Sequence, residues 1–196
     1  MSNVLFLDVD GVLNGDDTKV KSPCGFTGVD RDKIHLLSQA VISTGCDVVL
    51  SSDWKMDFDF NNPVLNAPDA VYLEEELEKE GIQLKGTTPD VAPYMREKEI
   101  ISWLMDHPEV EDYCILDDTM YGFAEEETAS HFIHTNIFGN GIFDAYCYSD
   151  DDSSDFTKQF CDSILKQNME NISSCYKEET LSKENHDSEI DIYLSL

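Results

Sequence analysis

The 196-residue chain is poor in basic side chains: it has 13 Lys and Arg against 41 Asp and Glu, which gives a formal net charge of −28. Residues 1–148 carry 29 acidic and 9 basic side chains, and residues 149–196 carry 12 and 4. Non-specific binding to nucleic acids depends on Lys and Arg that displace counterions from phosphates. The charge therefore argues against a nucleic-acid or anionic-membrane partner. It is compatible with a protein partner that binds the acidic surface or the tail, and with solubility alone.

Three other features are missing from the chain. None of its six cysteines forms a CxxC motif with another. Cys46 and Cys114 lie in or beside apolar segments, and such buried cysteines are typical of free thiols in a reducing compartment. No apolar segment approaches the length that spans a membrane, and the N-terminus enters a strand-like segment without a preceding signal peptide. We therefore expect a cytoplasmic protein.

The chain does contain apolar strand-like segments that alternate with helical ones. Strands are predicted at 4–8, 46–52, 81–86, 111–118 and 131–136. Helices are predicted at 31–45, 70–81, 95–107, 123–130 and 156–168. This alternation predicts an α/β fold: a three-layer, mostly parallel sheet with helices on both faces. The last residues are polar, so we expect one domain over 1–168 and a flexible tail over 169–196.

Polar pairs follow three of the predicted strands. These pairs are Asp8 and Asp10, Ser51 and Ser52, and Asp117 and Asp118. Ligands of an open parallel sheet bind beyond the carboxyl ends of its strands, so we expect the three pairs to meet in one crevice. Carboxylates gathered there would repel one another unless a cation bound among them. Mg²⁺ favours oxygen ligands, with one or two carboxylates completed by water and phosphate oxygens.

The order and spacing of four motifs resemble those of the haloacid dehalogenase (HAD) phosphohydrolase superfamily. The motifs are DVDGVLN (8–14), a serine after the second strand, a basic residue that opens a later helix, and ILDD (115–118). Four further strings resemble a HAD branch that includes the phosphatase-like domain of bacterial RNA-repair proteins: SSDWK (51–55), GTTPD (86–90), REKEIISWL (96–104) and TNIFGNGIFD (135–144). The resemblance covers residues 3–165.

The resemblance implies a Mg²⁺-dependent phosphomonoester hydrolase with an aspartyl-phosphate intermediate. It implies that Asp8 is the nucleophile and a metal ligand. Asp10 would be the general acid and base, and its backbone carbonyl would reach the metal. Asp117 and Asp118 would complete the metal site, directly or through water.

For two further roles the resemblance leaves a choice between two neighbouring residues. Ser51 would donate a hydrogen bond to the phosphoryl group, with Ser52 as the competing choice. Arg96 or Lys98 would neutralise charge near the nucleophile, and only one of them can do so, because positions two apart on a helix point to different sides. We favour Arg96. Trp54 is the tryptophan expected to contact substrate.

The spacing between the motifs leaves no room for a large cap domain. The resemblance then implies an open crevice that admits large substrates, such as polynucleotide ends or phosphoproteins. The branch resemblance favours nucleic-acid ends, whereas the charge of residues 1–148 opposes them, so the sequence leaves the substrate open. The alternative function is a catalytically silent, acidic HAD-like domain that binds a protein partner.

Overall fold

The structure, a computed structural model, describes residues 2–91, 95–120, 126–148 and 152–173. Six strands form one sheet. In chain order they are β1 (Ser2–Leu7), β2 (Asp47–Leu50), β3 (Leu84–Thr87), β4 (Val110–Asp117), β5 (Phe132–His134) and β6 (Tyr146–Cys147). Their order in space is β3-β2-β1-β4-β5-β6, where β1 to β5 pair in parallel and β6 pairs antiparallel to β5. The expected mostly parallel sheet is confirmed, and β6 is a strand that the sequence did not predict.

Five α-helices accompany the sheet in the described residues. They are α1 (Arg31–Thr44), α2 (Pro68–Lys79), α3 (Arg96–Asp106), α4 (Glu126–Ala129) and α5 (155–173). The side chain of Asp30 accepts from the backbone N–H of Asp32 and caps the start of α1, while Gly45, at φ +65°, ends it. The helix predicted at 123–130 is present over 126–129, and its first three residues lie outside the described part. α5 runs five residues beyond its predicted end, and the tail from 174 onward also lies outside the described part.

The two faces of β1 bury different sets of side chains. Leu5 and Leu7 join a core that α1, α2 and α5 cover. Val4 and Phe6 point to the other face, where Ile100 of α3 packs. Because neighbouring residues of a strand point to opposite faces, the unbroken apolar run of β1 is buried on both sides. The chain therefore has the expected three layers.

The register of the central strands aligns the three polar pairs. Leu7 of β1 lies opposite Leu50 of β2 and Leu116 of β4. The ladder continues past the strand ends, since Asp8 N donates to Leu116 O (3.0 Å) and Ser51 N donates to Leu7 O (2.8 Å). The next residues, Asp8, Ser51 and Asp117, therefore stand side by side at one edge. β1 is also where the strand order reverses, which is where ligands bind in open α/β sheets.

The connections that follow β1 and β2 contain only turns, an isolated bridge, 3-10 helices and one α-helix each. Residues 8–30 form turns and one isolated bridge, and residues 51–83 form two 3-10 helices (Asp53–Asp57 and Pro63–Leu65) followed by α2. Neither of these fully described connections contains a cap domain, as expected. No helix in the described ranges combines the length and the apolar character that crossing a membrane requires.

Candidate active site

The turn after β1 separates its two aspartates. Asp8 is buried, whereas Asp10 is exposed to solvent. Asn14 holds the turn: its Nδ2 donates to Asp10 Oδ1 (2.7 Å), and its Oδ1 accepts from the backbone N–H of Gly11 (3.0 Å). The strand thus delivers one carboxylate to the interior and a second to the edge of the crevice.

Trp54 contacts the second oxygen of the same carboxylate. It lies in the 3-10 helix Asp53–Asp57, and its indole Nε1 donates to Asp10 Oδ2 (3.1 Å). Its ring packs against the larger core, which fixes the direction of the N–H. Both oxygens of Asp10 therefore have an orienting donor, one from the turn itself and one from the 3-10 helix after β2.

Two carboxylates follow β4. Asp117 is buried and its Oδ1 accepts from Thr119 N (2.8 Å), while Asp118 Oδ1 accepts from the hydroxyl of Thr119 (3.1 Å). Gly11 faces Asp118 so closely that a Cβ at position 11 would lie 2.4 Å from the Asp118 Cγ. Gly11 also has φ +77°, in the left-handed region. Glycine at this position thus permits the two segments to approach each other.

One carboxylate oxygen from each of Asp8, Asp117 and Asp118 lies within 4.8 Å of the other two. Burial, followed by the negative charge of Asp117, raises the pKa of Asp8 well above its ordinary value. Burial also raises the pKa of Asp117 and that of Asp118. A cation among these oxygens would favour their ionised forms. The three carboxylate oxygen donors fit a hard divalent cation such as Mg²⁺.

Arg96 brings a fixed positive charge to this cluster. It is the first residue of α3, and its Nη1 lies 3.2 Å from Asp8 Oδ1 and 2.5 Å from Asp117 Oδ2. Burial alone would lower the pKa of Arg96, but the carboxylates of Asp8 and Asp117 raise it above its usual value. Lys98 is exposed further along α3 and is not among the described residues that line the cavity beside Asp8.

Comparison with known proteins identifies the family. A family model described as the HAD domain in Swiss Army Knife RNA repair proteins matches residues 4–145. The chain belongs to this HAD family. Neither the search of curated proteins nor the search of solved structures returned a match. The family resemblance expected from the motifs is confirmed, and HAD domains are in general hydrolases, phosphatases among them.

The serine pair of the HAD domain follows β2 and lies close to Asp8. Both side chains are buried, and neither hydroxyl has a hydrogen-bond partner of normal geometry among the described residues. Ser52 lines the same cavity as Asp8, and its hydroxyl opposes the rise in the pKa of that carboxyl. Ser51, the favoured choice from the sequence, is not among the described lining residues. The structure thus places the competing choice, Ser52, beside the carboxylates.

A cavity of about 580 Å³ opens above these groups. Its wall contains six carboxylates and two cations: Asp8, Asp10, Asp53, Asp90, Glu99 and Asp118, with Lys55 and Arg96. Apolar contact surface comes from Met56, Met95 and Ile137. The cavity of the HAD domain is therefore strongly acidic once its two cations are paired.

Lys55 is a residue of this wall to which the sequence had given no role. Its side chain is buried, and Nζ forms an ion pair with Glu99 and hydrogen bonds to Thr88 Oγ1 (3.3 Å) and Pro89 O (3.4 Å). Lys55 N donates to Ser52 O (3.0 Å) in a 3-10 turn, where residues three apart lie on the same side. That spacing from Ser52 is the signal that could have predicted its place in the wall.

Proposed function

We propose that this HAD domain is a Mg²⁺-dependent phosphomonoester hydrolase that forms an aspartyl-phosphate intermediate on Asp8. The observation that supports this most directly is the cluster of Asp8, Asp117 and Asp118 oxygens at the sheet's reversal point, with Arg96 bound to two of them. In the proposal, these three aspartates and the backbone carbonyl of Asp10 hold the metal. When bound, Mg²⁺ would supply positive charge that neutralises the oxygens of the transferring phosphoryl group.

Asp8 is the proposed nucleophile of the first step. One of its carboxylate oxygens attacks phosphorus and forms a carboxyl–phosphate bond, while the bond from phosphorus to the leaving oxygen breaks. Asp10 gives a proton to that leaving oxygen, and Asn14 and Trp54 hold its carboxyl group in place. Ser52 is the proposed hydrogen-bond donor to the phosphoryl group, because it lines the cavity and its hydroxyl lies close enough to Asp8 to affect the pKa of that carboxyl.

Asp10 reverses its role in the second step. As a carboxylate it takes a proton from water, whose oxygen attacks phosphorus and displaces the Asp8 carboxylate. Inorganic phosphate leaves, Asp10 is protonated again, and Asp8 is restored. Arg96 would stabilise Asp8 as a leaving carboxylate, because its Nη1 lies 3.2 Å from that side chain.

The substrate class is part of the proposal. The matched family is named after RNA repair proteins, which favours a nucleotide or polynucleotide end. The carboxylates of Asp53 and Asp90 are exposed at the cavity and would repel further phosphates. A phosphomonoester with a short or uncharged leaving group, on a small molecule or a phosphoprotein, meets less repulsion.

A cytoplasmic location stays a prediction, supported by the free thiols of the described cysteines.

The test is release of phosphate from an aryl phosphate with and without Mg²⁺. We expect turnover that depends on the metal and that Asp8→Asn abolishes. Asp106→Asn, an exposed change of the same kind at the end of α3, is the matched control and should keep full activity. Activity that survives Asp8→Asn would remove the mechanism. No turnover across nucleotides, oligonucleotide ends, small phosphomonoesters and phosphopeptides would favour the alternative, a silent acidic domain that binds a protein partner.

A further inference from the structure

All three N–H donors of the Lys55 ammonium have acceptors within the protein. Lysine has three N–H donors, and the three acceptors around Nζ are Glu99 Oε2, Thr88 Oγ1 and Pro89 O. No donor remains for a substrate phosphate while these contacts hold. Lys55 lines the candidate active site, yet its contacts are typical of a residue that supports its neighbours.

The contacts of Lys55 join three segments that carry site residues. Lys55 belongs to the 3-10 helix after β2, which also carries Trp54. Thr88 and Pro89 follow β3, and Thr88 N donates to Leu50 O (3.0 Å) at the end of β2. Glu99 belongs to α3, which begins with Arg96. One buried ammonium therefore fixes α3 relative to the edge of the sheet.

Glu99 is the reason that the charge of Lys55 matters. It is buried, it lines the same cavity, and it lies three residues after Arg96, so both side chains emerge on one side of α3. A buried carboxylate that loses its cation is strongly unfavourable. We expect the nearest other cation on the same helix face to pair with it instead. On this face of α3 that cation is Arg96, whose guanidinium is needed at Asp8 and Asp117.

We propose that Lys55 is a positioning residue: it neutralises Glu99 and thereby keeps Arg96 on Asp8 and Asp117. The proposal rests on the proposed function, because it concerns the same reaction. It predicts that the charge balance of the Lys55–Glu99 pair, rather than the lysine itself, is what activity requires. Removing both charges together should therefore harm catalysis far less than removing the lysine alone.

The kinetic test compares Lys55→Gln, Lys55→Arg and the double variant Lys55→Gln/Glu99→Gln, with Mg²⁺ and an aryl phosphate. We expect Lys55→Gln to lower kcat about 10- to 100-fold, as loss of a supporting contact does, with a smaller change in KM. Lys55→Arg and the double variant should recover most of that loss. Lys79→Met, which breaks the exposed Lys79–Glu76 pair of α2, is the control and should leave kcat unchanged.

A second readout does not depend on turnover. In ¹⁵N-labelled protein, the side-chain Nε–H resonance of Arg96 reports the ion pairs of its guanidinium. It should shift in Lys55→Gln and return in the double variant. If the wild-type protein hydrolyses nothing, the proposed function fails while this resonance still tests the role of Lys55. An unshifted resonance in Lys55→Gln, an unchanged kcat there, or a folded double variant as slow as the single one would overturn the proposal.

Discussion

Gly11→Ala tests the closest approach in the candidate metal site. The substitution adds a Cβ that would lie 2.4 Å from the Cγ and 2.6 Å from the Cβ of Asp118, and it places alanine at φ +77°. The left-handed backbone costs about 1–2 kcal/mol. The overlap adds about 1–3 kcal/mol, because the Cβ of Asp118 cannot move without its backbone. We therefore expect a loss of about 2–5 kcal/mol in the free energy of unfolding.

The displaced Asp118 should also weaken metal binding. We expect Mg²⁺ affinity, measured by calorimetry, and kcat to fall about 10- to 100-fold. Gly45→Ala is the matched control, because Gly45 has φ +65° with no atom within 4 Å of the added Cβ. It should lose the backbone contribution alone and keep wild-type Mg²⁺ affinity. If both variants bind Mg²⁺ equally well, the reasoning about Asp118 is wrong.

Three further predictions concern the carboxylates and their partners. Arg96→Met should lower kcat about 10²- to 10³-fold, whereas Arg31→Met, an exposed arginine of α1, should not; equal rates would remove Arg96 from the mechanism. Trp54→Phe removes the hydrogen bond that orients Asp10, so it should lower kcat about tenfold, which is part of what general acid–base catalysis supplies, and leave KM unchanged. A rise in KM alone would mean that Trp54 contacts substrate instead. The pKa of Asp8 is higher in the folded protein than its ordinary value of 3.8, so protonated Asp8 stabilises the metal-free fold at pH values below 3.8. This stabilisation is lost as the pH rises through the raised pKa of Asp8 in the folded protein. Mg²⁺ should therefore raise Tm more at pH 7 than at pH 4, and the reverse would contradict the assignment.

The strand ends were predictable because they depend on local pattern. The apolar run before Asp8 and that before Asp117 identify buried parallel strands, and parallel strands place their carboxyl ends at one edge. The register, with Leu7 opposite Leu50 and Leu116, then brings the polar pairs together. The three-layer fold was predictable in the same way, because strand-like and helical segments alternate along the chain.

The two choices within pairs had different outcomes. The sequence favoured Arg96 over Lys98, and α3, which begins at Arg96, brings Arg96 to Asp8. The sequence favoured Ser51 over Ser52, whereas Ser52 lines the cavity, because the chain bends there into a 3-10 helix, which the pattern does not encode. The buried place of Lys55 depends on Glu99, 44 residues away in the chain. β6 is two residues long, too short for a periodic signal.

The central claim is tested most directly by the chemical state of Asp8 during turnover. An aryl leaving group needs little protonation, whereas hydrolysis of the acyl phosphate needs a base, so the Asp10→Asn variant should accumulate the intermediate. Acid quenching followed by borohydride reduction converts an aspartyl-phosphate to homoserine, which mass spectrometry detects in the peptide. The account predicts homoserine at position 8 with Mg²⁺ and substrate, and none without them. Phosphate release with Asp8 unmodified, or modification at another residue, would contradict it.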